Sequence, residues 1–214
     1  MSTPTEDLIA QLAASAKPVR RLAPPMIRAL IWLAVITAIA GGLVLNLANL
    51  PVFAARAADP RQALELSATL ATGIAGIIAA FHLSVPDRPR AWGLAPLPFL
   101  AAWLGLSGFG CYRSWGEQTA KGWHGGDSSQ CFIFILATGV PLAAVMIWAV
   151  SRAKPLQPRL TAAVGAMGVA GLSAFLLQFF HPFNVTLLDL IVHLLALVLL
   201  ILGATAWAAG RMRA

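Results

Sequence analysis

Residues 187–209 read LLDLIVHLLALVLLILGATAWAA. This run holds one carboxylate, one imidazole and no Lys or Arg. About 20 mostly apolar residues in a helix cross the ~30 Å hydrocarbon core of a bilayer. The stretch therefore predicts a membrane-spanning helix. Five more runs of the same character precede it, at residues 26–48, 64–83, 92–110, 131–150 and 160–180. The punctuation between them is plain. Pro51 and Pro60 bracket the first loop, Pro86 and Pro89 the second, and Pro155 and Pro158 the fourth. Gly116, Gly122, Gly125 and Gly126 fill the third loop, and Pro182 marks the fifth. The expected fold is an all-α integral membrane protein, a six-transmembrane-helix bundle over residues 26–214.

Composition agrees. Charged residues make up 11% of the chain and mean hydropathy is +0.79, whereas a soluble domain carries about 25% charged residues. The formal charge of +7 is not a nucleic-acid footprint, because its cations lie in short inter-helix segments without interleaved aromatics. No direct nucleic-acid binding is expected. The first apolar run is too long for the h-region of a signal peptide, and a polar stretch precedes it, so no cleavable leader is expected.

Orientation follows from the cations. With the N-terminus inside, the inner segments hold Lys17, Arg20, Arg21, Arg28, Arg88, Arg90, Arg152, Lys154, Arg159, Arg211 and Arg213. The outer segments hold Arg56, Arg61, Arg113 and Lys121. That is eleven of the fifteen on one side, so both termini are expected in the cytoplasm. Trp92, Trp148 and Trp207 fall near the inner interface, and Trp115 and Trp123 near the outer one, as in an aromatic belt. Span five is rich in small residues, with Gly165, Gly168 and Gly171 at every third position. They predict close helix packing within the bundle. Pro141 predicts a kink in span four. A Leu-Ala-Thr-Gly string at 70–73 and again at 136–139 is too short to establish a repeat.

Ionisable groups within spans mark functional sites, and few occur. Glu65 and Asp189 fall near outer helix ends, within reach of water. His82 and His193 fall toward opposite faces, unlike a pair of haem ligands. A transporter of metal or lipid calls for midplane charges and broken helices. A membrane thiol redox protein calls for Cys-x-x-Cys. Both are weaker alternatives here. No Ser/His/Asp set, zincin motif, phosphate loop or carboxylate pair is visible, so no enzyme is expected.

Cys111 and Cys131, the only cysteines, end the polar loop between spans three and four, on the outer face. His124 lies in the same loop and His181 in the fifth. Three readings fit. One is a disulfide closing a loop of about 20 residues, worth roughly 3 kcal/mol. Another is a soft-metal site of Cys111, Cys131, His124 and His181, suited to zinc, cadmium or copper(I). The third is a switch that changes state.

The first 25 residues form a separate polar segment. Thr5 is placed to cap a short helix with Glu6 and Asp7 in its first turn. Leu8, Ile9 and Leu12 share a face, and Pro18 ends it. About a dozen residues is too short for a stable isolated helix. A partner groove and the membrane surface both suit this short amphipathic cytoplasmic helix.

Glu6-Asp7-Leu8-Ile9 and the run from Ala16-Lys17-Pro18 to Arg20-Arg21-Leu22 resemble the NrsF family, negative regulators of sigma-F. So do Asp59-Pro60-Arg61, Leu83-Ser84-Val85-Pro86, and Gly110-Cys111 with Cys131 opening the next span. The resemblance implies a bacterial inner-membrane anti-sigma factor that holds an extracytoplasmic-function sigma factor. It implies release by periplasmic stress linked to heavy metals such as chromate and cadmium, with the cysteines as sensors. It also implies sigma-factor contact through the tail at Glu6, Asp7, Leu8, Ile9, Leu12, Arg20 and Arg21. A further thiol is expected near the fifth loop of relatives, where this chain has Phe180-His181.

The topology has a direct check. Alkaline phosphatase fused after Ala214 is expected to be inactive, and fused in the loop near Gln118 active. An active fusion at Ala214 would reverse the assignment.

Overall fold

The computed structural model describes residues 4–16, 21–113, 125–180 and 187–211. Among these residues eight α-helices and one 3-10 turn appear, and no strand. Helix α1 (Pro4–Ser15) precedes α2 (Pro25–Leu47), a short α3 (Leu50–Ala57) and α4 (Pro60–Leu83). The 3-10 turn (Arg90–Leu94) leads into α5 (Leu97–Arg113), followed by α6 (Gly125–Ser151), α7 (Pro158–Leu177) and α8 (Leu187–Arg211). Six of these segments are long and apolar enough to cross a membrane. The fold fits a multi-pass membrane protein. The end where α2 begins is called the tail end below, and the opposite one the far end.

The prolines start helices here more than they break them. Proline lacks the N–H that a first turn leaves unbonded, so its cost vanishes there. Pro25, Pro51, Pro60 and Pro158 all sit in first turns. The segment expected as the first loop is therefore mostly helical. Asn49 caps α3 by accepting from Val52 N at 3.3 Å. Asp59 caps α4, accepting from Arg61 N at 2.8 Å and Gln62 N at 3.3 Å. Span two thus begins at Pro60 rather than near residue 64, and α6 begins six residues before Cys131. α6 continues through Pro141. α1 starts at Pro4, so Thr5 lies inside the helix instead of capping it.

The centre of the bundle is the contact between α4 and α7. In α7, 67% of the most apolar window is buried, against 56% in α4 and 6% in α2. Two glycine rows make this closeness feasible. A Cβ on Gly76 would lie 2.6 Å from Gly168 Cα, and one on Gly171 would lie 2.8 Å from Gly73 N. The small residues of α7 are thus used inside the bundle, as expected. Around this seam Ile77, Phe81, Met146, Ile147, Val150 and Val169 form the main core. The two Leu-Ala-Thr-Gly strings flank α7. Gly73 meets Leu172, and Gly139 approaches Ser173.

Overpacking a tight contact costs about 1–3 kcal/mol. Gly76→Ala and Gly168→Ala should each lower Tm in detergent accordingly. Gly41→Ala and Gly203→Ala add a methyl where nothing lies within 4 Å, and should leave Tm unchanged or raise it.

Candidate functional site

At the far end, side chains of α3, α4, α5, α7 and α8 converge. A helix leaves its last four carbonyls without partners, and cations are favoured there. Arg56 of α3 uses both effects on α7. Its guanidinium donates to the Gln178 carbonyl at 3.4 Å and to Gln178 Oε1 at 3.0 Å, just past the last turn of α7. Arg56 also donates to Gln62 Oε1 at 3.3 Å.

One turn into α4, Arg61 and Glu65 face each other at 3.9 Å. Arg61 donates to the Leu106 carbonyl of α5 at 3.3 Å. Ser107 Oγ donates to Glu65 Oε1 at 2.5 Å. The missing side chain at Gly110 makes room for the Arg61 guanidinium, which a Cβ there would strike. The carboxylate of Glu65 and its cation thus share a part-buried network with α5. This is the geometry in which a buried ion pair is tolerated.

Cys111 sits one residue beyond Gly110 and is buried. The Glu65 and Asp189 carboxylates and the Arg61 guanidinium are close enough to act on its thiol electrostatically. Cys131 has a different setting. It packs in an apolar cluster with Ile135, Ala170, Leu177 and Ala196. Both are thiols in the structure, with 3% and 1% of their surface exposed. The sequence pattern placed them at the mouths of a polar loop. Packing turns them inward instead, because Cys111 lies in the last turn of α5 and Cys131 in the second turn of α6.

Asp189 is also corrected. It is buried, with 4% of its surface exposed, on a helix that packs against α6 and α7. One turn on, His193 Nδ1 pairs with the Asp189 carbonyl at 2.6 Å. His82 lies at the other end of the bundle, stacked on Trp92 with ring centroids 4.0 Å apart. The two imidazoles do not form a ligand pair. Among the described residues no three His, Cys, Asp or Glu side chains assemble as a metal site. The expected partners His124 and His181 lie outside the described residues, as does Arg20.

At the tail end, α1 is helical but contributes nothing to the core. Glu6 and Asp7 occupy its first turn. Leu8, Ile9 and Leu12 are 55%, 60% and 61% exposed. Arg21 is exposed as well. Arg28, in the first turn of α2, donates to the Ala149 carbonyl at 2.6 Å and to Ser84 Oγ at 3.4 Å. It thereby ties the C-terminal end of α6 to the residue that caps α4. Sequence reading counted Arg28, Arg56 and Arg61 for orientation but missed Arg28 and Arg56 as helix-end ties and Arg61 as a tie between α4 and α5. Ser107 was missed too. The spacing Gly73-x-x-Gly76, matching Gly165-x-x-Gly168-x-x-Gly171, was the available signal for the seam.

These contacts define a multi-span helical membrane protein whose polar side chains mainly join helix ends, with a helical tail left outside the core. The chain belongs to the NrsF family, described as negative regulator of sigma F, which it matches over residues 12–213. Membership implies a negative regulator of a sigma factor. No curated protein and no solved structure matches this chain.

Burial sets an expectation for thiol chemistry. A buried group reacts only from locally opened states. A membrane-impermeant maleimide should label Cys111 and Cys131 at least about tenfold more slowly than a Tyr112→Cys reporter made in the double Ser variant. Tyr112 is 77% exposed. Equal labelling rates would contradict the packing described here.

Proposed function

We propose that this protein is a membrane-embedded anti-sigma factor. Residues 1–25 hold an extracytoplasmic-function sigma factor on the cytoplasmic side, and residues 26–214 anchor that segment and carry a signal from the periplasm. The observation that carries this reading is the exposed apolar side of α1. Leu8, Ile9 and Leu12 are left outside the bundle, as helix-in-groove recognition requires. Glu6, Asp7, Arg20 and Arg21 add polar contacts around them. The cation count supports a cytoplasmic tail in the inner bacterial membrane.

The trigger we assign to the far end is chemistry at Cys111 and Cys131, by oxidation or by a soft heavy-metal ion. His124 and His181 are further ligands on grounds of residue type. Burial of both thiols adds a condition. The signal acts on an opened far end, and the modified state then holds the ends of α5 and α6 in a new arrangement. Moving the bound sigma factor from about 1% to 99% released takes roughly 5.5 kcal/mol of differential free energy. A disulfide, typically worth about 2–4 kcal/mol, supplies a large share of that. Tight metal binding supplies the same order.

A pull-down of the sigma factor tests the tail. The full chain should capture it, and the chain lacking residues 1–25 should not; equal capture sinks the assignment. Replacing Leu8 and Leu12 together by Ala should weaken capture by roughly 2–4 kcal/mol, the scale of interface hot spots.

The sensor has its own readout. Cys111→Ser, Cys131→Ser and the double variant should blunt sigma-dependent transcription in response to cadmium or oxidant while retaining repression at rest. An unchanged response in all three would leave the thiols structural.

A further inference from the structure

We propose that the cleft between α2, α4 and α6 at the tail end binds an anionic phospholipid, with its phosphate held by Arg21, Arg28 and Arg152. The cleft is a cavity of about 670 Å³, within the usual range for small-ligand sites. The three guanidinium groups line it, and no carboxylate does. Arg28 and Arg152 are near enough to repel one another, a repulsion that a bound anion relieves. Arg152 is kept in place by lying 3.9 Å over the Trp148 ring, another lining residue.

Trp32 lines the same cleft, with its indole buried in the main core. The end of α6 does not oppose an anion here. Arg28 donates to the Ala149 carbonyl, so the negative end of α6 already carries a cation.

The lower part of the cleft fits acyl chains. Val35 is seven residues beyond Arg28, about 10 Å deeper at 1.5 Å per residue. Ile31, Val35 and Val145 continue the lining toward the bundle middle, and Ile31 and Val35 are 58% and 52% exposed. A basic mouth above an apolar wall between spans is the arrangement that holds acidic lipid headgroups. A free phosphate ion satisfies the mouth and leaves the wall unused. Because Arg21 and Leu22 also line the site, an occupied cleft fixes where the tail leaves the bundle. The site does not depend on the sigma-factor reading.

Native mass spectrometry of the delipidated full chain tests this, in detergent with equal phosphatidylglycerol and phosphatidylcholine. Phosphatidylglycerol should be retained about tenfold over phosphatidylcholine, equivalent to about 1.4 kcal/mol. Arg21→Gln with Arg152→Gln should bring the two lipids to parity. Arg90→Gln with Arg159→Gln removes equal charge at the same end outside the cleft, and should keep the preference. Equal retention of the two lipids in the parent protein overturns the proposal. So does equal loss in both double variants, which marks a diffuse surface effect. Binding of glycerol phosphate as tightly as the lipid makes this a soluble-anion site and overturns the lipid assignment.

Discussion

Everything in this bundle is arranged around the backbone-to-backbone approach of α4 and α7. Helices in lipid gain little by hiding apolar surface from one another, since the surrounding chains are equally apolar. What holds them is close packing. Gly73 and Gly76 opposite Gly168 and Gly171 allow it, and α7 becomes the most buried span. With α7 central, α6 and α8 are set on its remaining sides, and α2 is left at the margin.

Arginines complete the arrangement at both ends. Arg28 crosses from α2 to the ends of α4 and α6, Arg56 closes the end of α7, and Arg61 reaches α5. Arg28 and Arg56 satisfy end carbonyls that lipid cannot, and Arg61 ties α4 to the body of α5. Cationic side chains at the bundle ends are thus structural ties as well as markers of orientation. Cys111 follows Gly110, whose missing side chain admits Arg61 of one of these ties, whereas Cys131 belongs to the apolar packing of α6, α7 and α8.

The six spans were legible because the bilayer demands about 20 apolar residues for each, and nothing else explains such runs. Their ends were less so. Pro51 and Pro60 read as loop brackets, yet both occupy first turns, which hid α3 and shortened α4 on paper. Burial of the cysteines and of Asp189 was invisible because neighbours in sequence say little about neighbours across helices. The glycines of α7 were read correctly as packing residues, but their partners in α4 went unnoticed for want of any local signal as dense. The imidazoles of His124 and His181, expected beside the cysteines, fall outside the described residues.

The marginal position of α2 has a mechanical meaning. Only 6% of its most apolar window is buried, and its chief neighbour is α4. Beyond its Arg28 anchor at the tail end, tilting α2 trades protein contacts for lipid contacts of similar quality, so the restoring force on its far half is small. The glycine seam resists any such motion. The fold thus divides into a stator, α4 with α7, and one compliant vane. The tail that leaves the bundle is mounted on the vane.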